Sequence, residues 1–206
     1  DAIRNGALSL ESRDEELAEK VRAGDKVIDN LEIMINESAA RVIALRAPTA
    51  IDLRLILSVI KISANLERIG DYANNMAKRT GVLSQIAPVN DSAGAIRRMA
   101  RTVEAMLKDA LDAYIQRDAE LAADIIVRDQ EVDQMYNALF REFLTFMMED
   151  PRNITACMHL HFIAKNVERM GDLVTSIAEQ VIYLVTGQHP DEDRPKADHT
   201  SMPAGS

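Results

Sequence analysis

Apolar residues recur at intervals of three and four along most of the chain, as in Val21, Ile28, Ile35, Ala39 and Val42. That spacing places them on one face of an α-helix. Pro48, the Gly81–Pro88 stretch, Pro151 and the Gly187–Pro190 pair interrupt long segments that contain no proline. The pattern predicts six helices, over Asp1–Ser12, Asp14–Arg46, Thr49–Thr80, Ser92–Gln116, Ala119–Glu149 and Arg152–Thr186. Asp14 and Asp118 stand where N-caps belong, and Gly81 and Gly187 where a helix commonly ends on glycine. Gln188–Ser206 carries three prolines and many polar residues, which predicts a disordered tail.

Composition agrees with an all-α chain. Glycine and proline number 8 and 6 in 206 residues, and aromatic residues make up 4 %, too few for the turns and aromatic strands of a β-sandwich or barrel. No stretch is apolar and long enough to span a membrane, because Asp52 and Arg54 break the run from Ile51 to Ile60. The single cysteine, Cys157, excludes an intrachain disulfide and fits a reducing compartment. It occupies an apolar helix position and reads as a buried, inert thiol.

The two halves repeat. Asn65-Leu-Glu-Arg-Ile-Gly-Asp71 returns as Asn166-Val-Glu-Arg-Met-Gly-Asp172, offset by 101. Arg13-Asp14, Leu17-Ala18, Asp25 and Asp29 return as Arg117-Asp118, Leu121-Ala122, Asp129 and Asp133, offset by 104. A duplicated three-helix unit accounts for six helices. The expected architecture is two tandem pseudo-symmetric three-helix bundles, residues 1–80 and 92–187, joined by a linker at 81–91 and followed by the tail 188–206. The first helix is shorter than its counterpart, so its partner helices would expose apolar surface that a second chain could cover. Gly70 and Gly171 sit mid-helix, where glycine costs about 1 kcal/mol relative to alanine. Their repetition predicts a close helix approach.

The repeat carries acids at helical spacing. Glu67 and Asp71 lie four apart and continue the stripe of Ile56, Ile60 and Ala64, so they share a face. Asp25 and Asp29 are likewise four apart. The turn near Ala47 is about 20 residues from each pair, so at about 1.5 Å per residue an antiparallel hairpin brings all four level. Asp129/Asp133 and Glu168/Asp172 repeat the arrangement about the turn near Asp150. Converging carboxylates must be protonated, paired or metal-bound. Oxygen ligands suit Mg²⁺, Mn²⁺, Ca²⁺ and iron, and zinc stays within the range. Asn75 extends the first acidic stripe by a turn and is a further candidate ligand. The alternatives are a carboxylate-bridged metal enzyme and a metal-free helical scaffold in which Arg68 and Arg169 pair with the acids. Glu-x-x-His pairs of the di-iron bundles are absent, as are phosphate loops and nucleophile motifs, which argues against an enzyme. His161, seven before Glu168, reads as core or rim, since Ile60 is its counterpart. His159, His189 and His199 have no ligand spacing. The methionines read as core filler.

The formal net charge is −9, from 24 basic and 33 acidic residues, so no overall basic footprint for nucleic acid exists. Without the tail the balance is 22 against 29, or −7. The eight repeated carboxylates account for −8 and leave the rest near neutral.

The run Pro48-Thr-Ala-Ile-Asp-Leu-Arg54 and the doubled Glu-Arg-x-Gly-Asp, ending at Asp71 and Asp172, resemble the PhoU family over nearly all of the chain except the tail. The resemblance implies two three-helix bundles and a non-enzymatic, cytoplasmic negative regulator of the phosphate-starvation response. It implies a homodimer that links the ATPase of the phosphate ABC transporter to a sensor histidine kinase, at the inner membrane only through these partners. The family's Glu/Asp-x-x-x-Asp motifs, associated with metal clusters, correspond to Asp25/Asp29, Glu67/Asp71, Asp129/Asp133 and Glu168/Asp172. Asp52 and Arg54 are added as candidates, and one-sided ones, because Asn153-Ile154-Thr155 replaces their triplet in the second unit.

Overall fold

A computed structural model describes residues 1–190. The disorder expected of the tail therefore lies, beyond Pro190, outside the described residues. Six α-helices follow in order: α1 (Ala2–Ser12), α2 (Glu15–Arg46), α3 (Ala50–Leu83), α4 (Ser92–Gln116), α5 (Ala119–Glu149) and α6 (Ile154–Thr186). Among the described residues there are no strands. The all-α expectation holds.

The helix limits follow the capping chemistry. The Asp14 carboxylate accepts from Leu17 N at 2.9 Å, and the Asp118 carboxylate from Glu120 N and Leu121 N at 3.0 and 2.9 Å. Each satisfies backbone donors that the first helical turn leaves without partners. The preceding residues, Arg13 and Arg117, adopt φ of 57° and 59°, so both halves turn from one helix into the next through a left-handed arginine. Gly187 ends α6 at φ 80°, as expected. Gly81 does not end α3, which runs on to Leu83. A β-carbon on it would meet open space, and the helix ends two residues later, where the Arg13 guanidinium donates to Leu83 O at 2.8 Å and also to Ile86 O. At the other tip Asp150 accepts from Arg152 N at 2.9 Å and holds Pro151–Asn153 as a 3₁₀ turn, so α6 begins at Ile154 rather than Arg152.

In each half, two long antiparallel helices are flanked by a third: α1 on α2 and α3, α4 on α5 and α6. The halves join chiefly where α3 packs on α6, and α4 also meets α1. Helix α6 is the most enclosed, with Ile163, Val167, Met170, Val174, Ile177 and Val181 all inaccessible. Cys157 is fully buried within it, and burial, with a smaller effect of Glu142, raises its thiol pKa. Helix α4, at 25 residues, seals its hairpin with Ile96, Met99, Val103 and Met106. Helix α1 has 11 residues. Beyond its reach α2 and α3 expose Leu31, Met34, Val42, Leu45, Ile51 and Leu57, the apolar surface that its brevity predicts. Between α2 and α3 there, Leu31, Met34, Ile35, Val42, Leu55 and Val59 line an open apolar groove.

Two acidic clusters of unequal burial

The glycines set the helix spacing at both clusters. A β-carbon on Gly70 would lie 2.9 Å from Ile28 Cδ1 and 3.5 Å from Asp25 Oδ1. One on Gly171 would lie 2.7 Å from Asp129 Oδ1 and 3.4 Å from Val132 Cγ1. Asp25 and Asp129, with the residues three further on, thus face the same glycine of their partner helix, and the close approach expected of the repeated glycine is present in both halves.

In the first half Asp25, Asp29 and Glu67 are partly buried and Asp71 is exposed. Their proximity is electrostatic as well as geometric. Burial raises the Glu67 pKa, and then Asp71, Asp29, Glu32 and Asp25 raise it further. Asp25 is also raised, by burial first and by Asp29 and Asp71. A hydrogen bond from the Asn74 amide opposes that rise, and so, most weakly, does Lys78. The four first-half acids therefore come together, with Glu32 as a fifth. Asn75, the expected extra ligand, is exposed and accepts from Lys78 Nζ at 3.4 Å. Its neighbour Asn74, one position nearer along the helix, is the residue that reaches Asp25.

In the second half the acids are enclosed: Asp129, Asp133 and Glu168 are 5 %, 2 % and 3 % exposed, and Asp172 is partly buried. Arg169, like Arg68, is exposed. The cation that meets the cluster is Lys165, whose Nζ lies 2.9 Å from Glu168 Oε1 and 4.7 Å from the centroid of the Tyr136 ring. The sequence carries a signal for it, since Lys165 stands three residues before Glu168 on the same face. His161 sits one turn further back, with the rings of Tyr136, Phe140 and Phe162 at centroid distances of 6.0, 5.5 and 5.9 Å. Burial, and then Lys165, lower its pKa. It is a rim residue of an aromatic cage.

The one-sided pair takes no part in either cluster. Asp52 lies in the first turn of α3, where a negative charge meets the positive end of the helix dipole. Arg54 lies 5.5 Å over the Tyr183 ring and crowds Gly187, with its nitrogens 2.6 and 2.9 Å from where a β-carbon would stand. It therefore places a cation at the C-terminus of α6, joining one half to the other.

Among the described residues, no three His, Cys, Asp or Glu side chains converge closely enough, as they stand, to hold a metal ion. The donor chemistry of the first cluster nonetheless suits a hard cation: Glu67, raised by burial, is raised further by the charges of Asp71, Asp29, Glu32 and Asp25 beside it.

The PhoU domain pattern matches residues 1–80 and 96–181. The chain belongs to the PhoU family. A phosphate-specific transport system accessory protein PhoU homolog of Caulobacter vibrioides is 47 % identical over 194 residues, covering 94 % of this chain and 84 % of the relative. One from Rhizobium meliloti is 45 % identical over 199 residues, covering 97 % and 84 %. The crystal structure of PhoU from Pseudomonas aeruginosa superposes with a TM-score of 0.88 at 38 % identity, over 91 % of this chain and 90 % of that one. The phosphate transport system regulatory protein PhoU of Streptococcus pneumoniae gives 0.82 at 30 % identity, over 92 % and 89 %. The resemblance drawn from the doubled Glu-Arg-x-Gly-Asp is thus shown, as is the six-helix PhoU fold. No described helix is long and apolar enough to cross a membrane.

Proposed function

We propose that this PhoU protein is an accessory component of a phosphate-specific transport system and represses phosphate uptake and the phosphate-starvation response. The observation that carries this reading is near full-length similarity to relatives named for that system. The mode of action is that of a non-catalytic, cytoplasmic adaptor between the transporter's ATPase and a sensor histidine kinase, with signals passing through contact rather than turnover. The test is capture of both partners by the purified, folded chain. Binding to the ATPase or to the kinase's cytoplasmic region supports the reading, and failure against both contradicts it.

The cation reading is separate. Asp25, Asp29, Glu67 and Asp71 would hold a hard divalent or trivalent ion; Asp129, Asp133, Glu168 and Asp172 repeat the acid set in the second half, where the Lys165 ammonium already stands against Glu168. The ion would supply charge neutralisation and cross-link α2 to α3. Binding should weaken when Glu67, Asp71, Glu168 and Asp172 all become alanine, and unchanged calorimetric binding of Mn²⁺ by that variant would sink the idea. One observation favours a metal-free scaffold for part of the molecule: the Lys165–Glu168 ion pair.

A further inference from the structure

The two clusters differ most at one pair of facing positions. In the second half the turn of α6 before Glu168 carries Lys165, and α5 offers it the ring of Tyr136. By the repeat offsets of 101 and 104, the first half has Ala64 in place of Lys165 and Glu32 in place of Tyr136. The second cluster is therefore four acids with a tethered ammonium against it. The first is five acids, and the charges that act on Glu67 there are all carboxylates. Lys78 reaches only as far as Asp25, from an exposed position.

Burial divides the halves in the same direction. Asp129, Asp133 and Glu168 are almost wholly removed from water, and buried charge is tolerated only when it is paired. A cation built into the chain meets that need permanently. The first-half acids are partly open to solvent, so water carries part of their solvation while their mutual repulsion persists.

Building on the cation reading above, we propose that Lys165 is the built-in cation of the second acidic cluster, so that the two halves are functionally unequal. Divalent cations are taken up by the first cluster, and Lys165 keeps them out of the second. The ammonium occupies the position on Glu168 that an ion would need, and its charge repels an arriving one. Lys165 is thus a specificity-determining residue for ion occupancy.

The experiment counts Mn²⁺ bound per chain by equilibrium dialysis, with circular dichroism confirming the fold of each variant. The chain as it stands should lose its bound Mn²⁺ in the Glu67→Gln/Asp71→Asn variant and keep it in Glu168→Gln/Asp172→Asn. Lys165→Gln should gain a second class of bound Mn²⁺, which Glu168→Gln/Asp172→Asn then removes. Lys165→Arg, which keeps the charge, should not gain it. Absence of the gain in folded Lys165→Gln overturns the proposal. Should that variant fail to fold, Ala64→Lys at the first cluster decides: the proposal requires that it lose Mn²⁺, and retention overturns it. The general cation reading fails on a different result, that the unaltered chain binds no Mn²⁺. In that case a gain by Lys165→Gln still supports the role of the lysine, and no gain overturns it. Equal loss from either acid pair in the unaltered chain leaves the cation reading standing and overturns the inequality of the halves.

Discussion

Three glycines show how one residue type takes opposite roles according to what faces it. No atom lies within 4 Å of where a β-carbon on Gly81 would stand, so Gly81→Ala should stabilise the chain by about 0.5–1 kcal/mol, the usual helix-interior preference for alanine. At Gly171 the added methyl meets the carboxylate of Asp129, itself buried. Gly171→Ala should therefore destabilise by about 1–3 kcal/mol, as overpacking commonly does. At Gly70 the atom met first is the far end of Ile28, which can turn aside, so Gly70→Ala should cost less than Gly171→Ala. Urea unfolding of the three variants checks the order. The close approach at the repeated pair is legible because a costly residue returns at the same place in the motif. The continuation of α3 past Gly81 is not, because it depends on the Arg13 guanidinium, 70 residues away in the chain. The choice of Asn74 over Asn75 escapes the sequence for a similar reason. Both lie near the acidic face, and only the crossing of α2 decides which one reaches Asp25.

At the scale of the helix, the sequence carries most of what the fold requires. Asp14 and Asp118 are readable as caps because short acceptors precede apolar periodicity, and each bonds its helix's free amides. Replacing either by alanine should cost about 1 kcal/mol, measured as a lower midpoint in denaturant with an unchanged slope. The α2–α3 hairpin also has a pH signature. Asp25 and Glu67 have carboxyl pKa values raised above their ordinary 3.8 and 4.5, so the folded state binds protons more readily than the unfolded one. Stability contributed by these groups therefore increases as pH falls through the raised values and is lost as pH rises through them. With chelator present, Asp25→Asn and Glu67→Gln should flatten this part of the stability–pH curve. A curve parallel to that of the unaltered chain would show that neither burial nor the neighbouring carboxylates raise these two groups. What the helical pattern cannot supply is burial, since the same Glu/Asp spacing is half-open in one hairpin and enclosed in the other. That difference comes from the flanking helix, 11 residues in one half and 25 in the other, and from the enclosure of α6 by α3, α4 and α5.

The whole molecule is a repeat that has diverged in charge while keeping its backbone plan. The left-handed arginines, the capping aspartates and the glycine contacts are common to both halves. Arg54 and Lys165 are not, and each acts where its own half differs. Arg54 closes the C-terminus of the other half's α6, and Arg54→Ala should lower the melting temperature while leaving Mn²⁺ binding unchanged. The near-cancellation of charge outside the eight repeated acids is visible from counting alone. Which of those acids carry their own counter-ion is not, because a lysine three residues from a glutamate is common on solvated helices and gains its meaning only from the burial of its partner. The most direct test of the unequal halves is anomalous scattering from crystals grown with Mn²⁺. The expected result is a peak among Asp25, Asp29, Glu67 and Asp71 and none beside Lys165. A peak among Asp129, Asp133, Glu168 and Asp172, alone or together with one at the first cluster, or no peak at either cluster, would contradict it.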